Sequence, residues 1–224
     1  MKDDPPALSD YGVTWELQRA VHARVASGKA LPVVLFVEHP PVYTAGTRTL
    51  PEERPFDGTP VIDVDRGGKI TYHGPGQLVG YPIVQLPREV GPLGYVRRVE
   101  EAVIRGLRTW GIEGGRVPGR TGVWLPAASG RPERKICAIG IRVAKQTTMH
   151  GFALNVTSAS PGPFGNIVPC GIADAGVTSI EDETSGTAPT LLEVAAVLEP
   201  HLAEVLAWGD LAYTGLGADA VERL

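Results

Sequence analysis

Cys170 lies in the stretch NIVPCGI. Pro169 fixes the approach and Gly171 lets the chain leave at an unusual backbone angle, so this thiol belongs to a bend rather than to a strand. Cysteine is the most nucleophilic ordinary side chain near neutral pH, provided a neighbour lowers its pKa toward the thiolate range. Lys135 could be that neighbour. It opens the apolar run KICAIGIRV, just past the polar loop AASGRPER. A cation beside a thiol stabilises the thiolate, and a partly desolvated lysine can also accept a proton. Each residue has an ordinary alternative: single cysteines are mostly small buried hydrophobes, and edge lysines mostly solvated charges. Cys137, inside the same run among Ile136, Ala138, Ile139 and Ile141, reads as structural, because apolar surroundings disfavour the thiolate.

His73 and His150 each precede a glycine at the boundary of a candidate strand, as YHG and MHG, and both could line one cavity. A histidine hydrogen-bonded within a turn is an equally ordinary reading. His73 also precedes Gly74-Pro75-Gly76, which no strand interior accommodates. The chain there must turn or approach something closely. Metal binding is poorly supported, since the five histidines include no HExxH and no Cys-x-x-Cys accompanies them. Phosphate-loop patterns, GxxxxGK[ST] or GxGxxG, do not occur.

The elements that must position these groups are short. After a candidate Asp10 cap, Val13, Leu17, Val21 and Val25 form a stripe that predicts an amphipathic helix. PVVLFVEH (32–39) and VIDVD (61–65) read as strands, joined by a long irregular connection. Residues 95–111 carry Val96, Val99, Val103, Leu107 and Trp110 on one side and stop at Gly111, as a helix with a glycine end. Residues 121–125 and 135–143 are strands, and 151–156 is expected to pair with the second. Thr190 to Glu193 forms a capping box that opens an apolar helix, which Pro200 should kink or interrupt. This pattern gives one mixed α+β domain over 1–224, with 1–10 and 209–224 as peripheral tails.

A composition 43% hydrophobic and 21% charged is ordinary for a globular chain of 224 residues, and a net charge of −4 argues against a general nucleic-acid binder. Two cysteines thirty-three positions apart make no disulfide framework, which suits a reducing, cytoplasmic setting. The N-terminus lacks the pattern of a signal peptide, and no apolar run approaches a membrane span, so a soluble protein is expected.

Taken together these stretches resemble the octanoyltransferase family of lipoate biosynthesis, the lipoyl(octanoyl) transferases. The family's pattern RGGxxTYHGPGQ stands unbroken from Arg66 to Gln77, and EHPPVYTAG, GVWL, KICAIGIRV, HGFALNV and PFGNIVPCGI agree in order. The likeness runs from about Tyr11 to Ile180. Ala45 departs from it, standing where a larger apolar residue is usual. The resemblance implies a mixed β-sheet backed by helices, as in biotin and lipoate protein ligases, a class II synthetase-like fold. It implies transfer of an octanoyl group from acyl carrier protein to a lysine of lipoyl domains, those of 2-oxoacid dehydrogenase complexes and the glycine cleavage H protein, with no bound cofactor, no nucleic acid and no membrane. By resemblance, Cys170 is the acyl-thioester nucleophile and Lys135 depresses its pKa. Arg66, Gly67, Gly68, Lys69, Ile70, Thr71, Tyr72 and His73, with Ala138, Ile139, Gly140, Gly151, Phe152 and Ala153, match the acyl-binding segments, and His150 is a supporting residue.

On physical grounds an acyl transfer needs a nucleophile, a cation and a dry groove. Gly67, Gly68, Gly74 and Gly76 would bring main chain close to that groove, with Tyr72 and His73 walling its reactive end. Arg97, Arg98, Arg105 and Arg108 share one helix and could meet an acidic carrier, although a solvated face is the commoner reading. Two rivals share part of this pattern: an ATP-dependent lipoate or biotin ligase, which would not need Cys170, and a non-catalytic carrier-binding or lipoyl-domain-binding module.

Overall fold

Asp10 caps the first helix, α1 (Tyr11–Ala26), by accepting a hydrogen bond from the Val13 N–H at 3.0 Å. The computed structural model describes residues 8–55, 57–128, 130–167 and 175–207, together with the backbone of 212–214. The buried face of α1 is Tyr11, Thr14, Gln18, Val21 and Val25, while Val13 is 71% exposed. A strict four-residue repeat drifts around a helix by about 40° per step, so the expected stripe cannot stay on one face. Gln18 turns inward instead of Leu17.

The strands form two sheets among the described residues. The larger contains β1 (Val33–Val37), β5 (Gln77–Ile83), β6 (Gly115–Val117), β7 (Arg120–Leu125), β8 (Arg134–Ala144), β9 (Thr147–Asn155), β10 (Gly176–Val177) and β11 (Ala212–Thr214). Its order is β11-β1-β5-β9-β8-β7-β6, with β10 pairing β8 as well. The smaller is β3-β2-β4, from β2 (Val42–Ala45), β3 (Val61–Asp63) and β4 (Thr71–His73). Most neighbours in the large sheet are antiparallel, but β11 runs parallel to β1 and β10 parallel to β8. Part of the stretch expected as a C-terminal tail is therefore an edge strand.

Each face of the large sheet has its own core. Val34, Phe36, Leu78, Ile136 and Leu154 pack under α2 (Pro92–Leu107) and α4 (Leu191–Val205). Val33, Leu35, Val79, Tyr81 and Ala153 pack under α1. Alternation along the strands sends successive side chains to opposite faces and so builds both cores from the same segments. The Thr190 capping box forms as expected, and α4 runs on through Pro200 between the buried Leu198 and Leu202. A short α3 (Ile180–Glu183) follows β10. Among the described residues no helix is long and apolar enough to cross a membrane.

The hairpin β8–β9 turns at Lys145 and Gln146, both at positive φ (50° and 56°), the conformation a two-residue hairpin favours. Inside it Gly140 faces Gly151. A Cβ on Gly151 would lie 2.1 Å from the Gly80 carbonyl oxygen on β5, so this seam closes only without side chains. Gly151→Ala should therefore cost about 2 kcal/mol or more in urea unfolding. Gly165→Ala, where an added Cβ meets nothing within 4 Å, should change stability by less than about 0.5 kcal/mol.

Candidate functional site

A cavity of about 370 Å³ lies between the α1 face of the large sheet and the segment Arg66–His73. Its walls are residues 66–71 and 73, residues 138–141 of β8 and 150–153 of β9, with Val79 and Tyr81 from β5, Tyr11 from α1, and Lys135. On the α1 side the sheet wall presents the apolar side chains of Val79, Ala138 and Ala153 and the bare backbone of Gly140 and Gly151, while Ile139, Ile141 and Phe152 border the cavity from the core under α2 and α4.

Arg66 braces the facing loop. Its guanidinium donates to the carbonyls of Gly67 (3.1 Å), Lys69 (2.8 Å) and Thr44 (2.6 Å) and to the Thr44 hydroxyl (3.0 Å), at 6% exposure. The Gly67 N–H then docks the loop on β8 through the Ile141 carbonyl, at 2.9 Å. Lys69 pairs with Glu53. Residues 66–69 are thus shaped by donors that fold back onto their own backbone.

Lys135 starts β8 with Trp124 of β7 on one side and Val177 of β10 on the other. It is 8% exposed, and its Nζ stands 4.6 Å from the centroid of the Trp124 ring, a cation–π contact. On the paired strand Gly122 is at φ +111°, and a Cβ there would strike the Cys137 carbonyl at 2.4 Å, so only glycine lets β7 lie this close to β8 beside the Lys135 stem. Next to it, Arg134 forms a two-pronged pair with Glu183 of α3, at 2.8 and 2.6 Å. The hydrogen bonds from Arg134 hold the Glu183 carboxyl down to about 2 against the opposing effect of burial.

Behind the opposite wall is a buried polar network. His39 gives its Nδ1–H to the Ser9 carbonyl (2.6 Å), which leaves Nε2 to accept the Tyr81 hydroxyl (2.8 Å). His150 gives Nε2–H to Asp65 (2.9 Å), and its Nδ1 faces the Tyr11 hydroxyl at 3.5 Å. The His150 backbone is at φ +57° inside a strand, and its N–H donates to Gln18 Oε1 at 3.0 Å rather than along the ladder. His73 donates from Nδ1 to Gln77 Oε1 (2.9 Å); the Gln77 amide donates to Asn155 (2.9 Å), and the Asn155 amide to the Thr178 carbonyl (2.9 Å). Among the described residues no cluster of three or more His, Cys, Asp or Glu is arranged to hold a metal ion.

The lipoyl protein ligase A/B catalytic-domain family model matches residues 10–203. An octanoyltransferase of Cutibacterium acnes is 57% identical over 212 residues, covering 92% of this chain and 78% of that one. Another from Salinispora arenicola is 54% identical over 193 residues, covering 86% and 90%. The chain belongs to this octanoyltransferase family. Accordingly it is an acyltransferase. Among solved structures, an archaeal bipartite lipoate protein ligase from Thermoplasma acidophilum aligns with TM-score 0.66 at 16% identity, over 97% of this chain and 88% of that one. Lipoate-protein ligase A bound with ATP aligns with TM-score 0.68 at 17% identity, over 97% and 90%. These likenesses establish the class II synthetase-like fold of lipoate protein ligases.

In this acyltransferase the segments expected at the acyl site meet at one cavity, with three exceptions. Tyr72 points away: on β4, Thr71 and His73 face the cavity and the residue between them cannot. Its ring packs against Tyr43 and Phe164, with centroids 5.3 and 6.0 Å away. Gly74 and Gly76 do not line the cavity either. A Cβ at Gly74 would meet the Tyr72 hydroxyl at 2.1 Å, and Gly76, at φ +81°, would meet Thr157 Oγ1 at 1.9 Å. Gly-Pro-Gly is a tight turn from β4 to β5 rather than a wall of the groove. The α2 arginines are engaged within the chain: Arg97 with Glu100, Arg98 with the Val205 carbonyl, Arg105 with Glu101 and Glu204, and Arg108 with Glu113.

Cys170 falls outside the described residues. Cys137 is fully buried, and burial pushes its thiol well above the ordinary range. Reading the sequence missed Tyr11, Tyr81, His39, Asp65, Gln18 and Asn155. The available signal was polar residues recurring within apolar strands and on the inner side of α1.

Burial lowers His39 to about 4 and His150 to about 4, although the carbonyl and carboxylate beside them pull upward; it also lowers His73 well below the ordinary histidine value, with repulsion from His39 adding to the shift and the Gln77 bond opposing it. Asp65 would be raised by its own burial, but His150 and Arg142 outweigh that and hold it low. The unfolded histidines titrate near 6.5, so as pH falls the unfolded chain takes up protons first. The resulting stability is complete above about 6.5 and lost toward about 4. The urea midpoint should therefore fall steadily between pH 7 and 4.5, and His39 alone accounts for about 3 kcal/mol over its full shift.

Proposed function

We propose that this acyltransferase moves an octanoyl group from the thioester of acyl carrier protein to a lysine amine of lipoyl domains, through an acyl thioester on Cys170. The observation that carries the reading is Lys135, a nearly buried cation at the edge of a cavity with an apolar sheet wall. Supporting it, Ala175, five positions after Cys170 in the sequence, lines a small recess together with Lys135.

An octanoyl tail carries six methylenes and a methyl, and burying it contributes about 6 kcal/mol at roughly 0.8 kcal/mol per group. The neutral histidines suit such a guest, because charged ones would hold water in the groove. The Lys135 ammonium stabilises the Cys170 thiolate, which attacks the carbonyl carbon of the donor. As the bond to the carrier sulfur breaks, that sulfur takes a proton from Lys135 and leaves as a thiol. Lys135 is now neutral beside a neutral acyl-enzyme. The acceptor amine attacks the new thioester, the bond to Cys170 breaks, and the proton shed by the amine goes to Lys135. The amide departs and the thiolate–ammonium pair is restored. The donor thioester is already activated, so the balance requires no nucleotide.

Intact-mass spectrometry after incubation with octanoyl carrier protein should show one octanoyl adduct on the wild-type chain, located at Cys170 by peptide mapping. Cys170→Ser should show none that hydroxylamine removes at neutral pH. A full hydroxylamine-sensitive adduct on that variant, or an adduct located at Cys137, would refute the assignment.

A further inference from the structure

Lys135 faces two spaces. Besides the acyl cavity it lines a recess of about 20 Å³, shared with Thr71, Trp124, Asn155, Gly176 and Val177. A site for one water needs at least roughly 10–15 Å³ on this measure and two to four polar partners. The recess meets the first condition for a single molecule.

The partners are present as well. Trp124 is 3% exposed, and its indole Nε1–H is buried with no hydrogen-bond acceptor among the described residues. Native proteins rarely leave such a donor unsatisfied, and a bound water is the usual remedy. Asn155 spends one lone pair on Gln77 and one N–H on the Thr178 carbonyl, so half of its amide capacity remains. Thr71 adds a hydroxyl, and Lys135 an amine that lies over the same indole ring.

We infer that this recess binds one water molecule, held by the Trp124 Nε1–H, Lys135 Nζ and the spare acceptor of Asn155, and that the water serves Lys135 as it changes charge. This role rests on the transfer reaction proposed above. There Nζ is an ammonium while the thiolate waits, then gives its proton to the departing carrier thiol, and is neutral until the acceptor amine returns one. The face of an indole favours only the charged form. A water serves both, because it accepts a hydrogen bond from the ammonium and donates one to the neutral amine. It also joins Lys135 to the chain His73–Gln77–Asn155 that underlies the acyl groove. Trp124 is thereby a positioning residue that acts through the water and not on the substrate.

A crystal structure of the full chain at about 1.5 Å tests the site itself. It should show one ordered water within about 3.2 Å of both Trp124 Nε1 and Lys135 Nζ. A dry recess, or Nε1 donating to a protein atom, overturns the inference, and this outcome depends on no variant. Replacing Trp124 with 3-benzothienylalanine keeps the fused ring face over which Lys135 lies and removes only the N–H. In rapid-quench experiments that variant should transfer octanoyl from the preformed acyl-enzyme about tenfold more slowly, with KM for the lipoyl domain unchanged and the pH–rate profile displaced. An unchanged rate and profile would remove the catalytic role. A hydroxylamine-sensitive octanoyl adduct on Cys170→Ser would defeat the transfer reading and leave the water site standing, whereas a dry recess would defeat the water and leave the transfer reading intact.

Discussion

Holding an ammonium at the edge of an apolar groove is costly, because a charge withdrawn from water needs compensation close at hand. Here the backbone solves the positional part of the problem. Lys135 sits in a strand paired on both sides, by β7 and β10, so its Cα is fixed from two directions. The Trp124 ring, 4.6 Å from Nζ, supplies one partner whose face attracts a cation. Arg134, one residue earlier, takes the carboxylate of Glu183 and ties α3 to the same strand. Two adjacent cations thus play different parts: Arg134 clamps two elements together, and Lys135 lines the cavity.

The other side of the groove shows the opposite electrostatic choice. His39, His73 and His150 are all buried, and burial holds each neutral, with the proton position dictated by carbonyl, amide and carboxylate partners. A network of this kind rigidifies the wall only when every member is satisfied. The left-handed backbone at His150 is the local cost of aiming its ring at Asp65 while Gln18 takes its N–H. Charge at Lys135 and neutrality around the histidines together give the cavity a polarity that runs from chemistry to solvation. This fits a guest with a reactive head and a greasy tail.

Much of this was legible in the sequence. The strands at 33–37, 120–125 and 134–144 and the Thr190 cap follow from apolar runs and capping chemistry; the strand expected from 151 begins earlier, at Thr147, and the helix expected to run to Gly111 ends at Leu107, with Gly111 closing the 3-10 turn that follows. What the sequence hid depends on which way a side chain faces. Tyr72 falls on the far side of β4 because of strand alternation, though it stands between two residues that face the cavity. Tyr11 and Gln18 were hidden by a four-residue stripe that does not close on a helix of 3.6 residues per turn. The glycines of the turn looked like part of the groove, but the constraint they answer is the Tyr72 ring and Thr157. The α2 arginines are balanced by Glu100, Glu101, Glu113 and Glu204, two of them outside the helix. The helical spacing of Glu100 and Glu101 was readable in the sequence, but only the tertiary fold brings Glu204 of α4 to Arg105.

The account stands on a cation that keeps one thiol ionised. The most direct measurement is the pH dependence of alkylation at Cys170, followed by peptide-resolved mass spectrometry in the wild-type chain and in Lys135→Met. The midpoint should lie at least about one unit below the ordinary cysteine value of roughly 8.5 in the wild type and return toward it in the variant. The same midpoint in both chains would contradict the account.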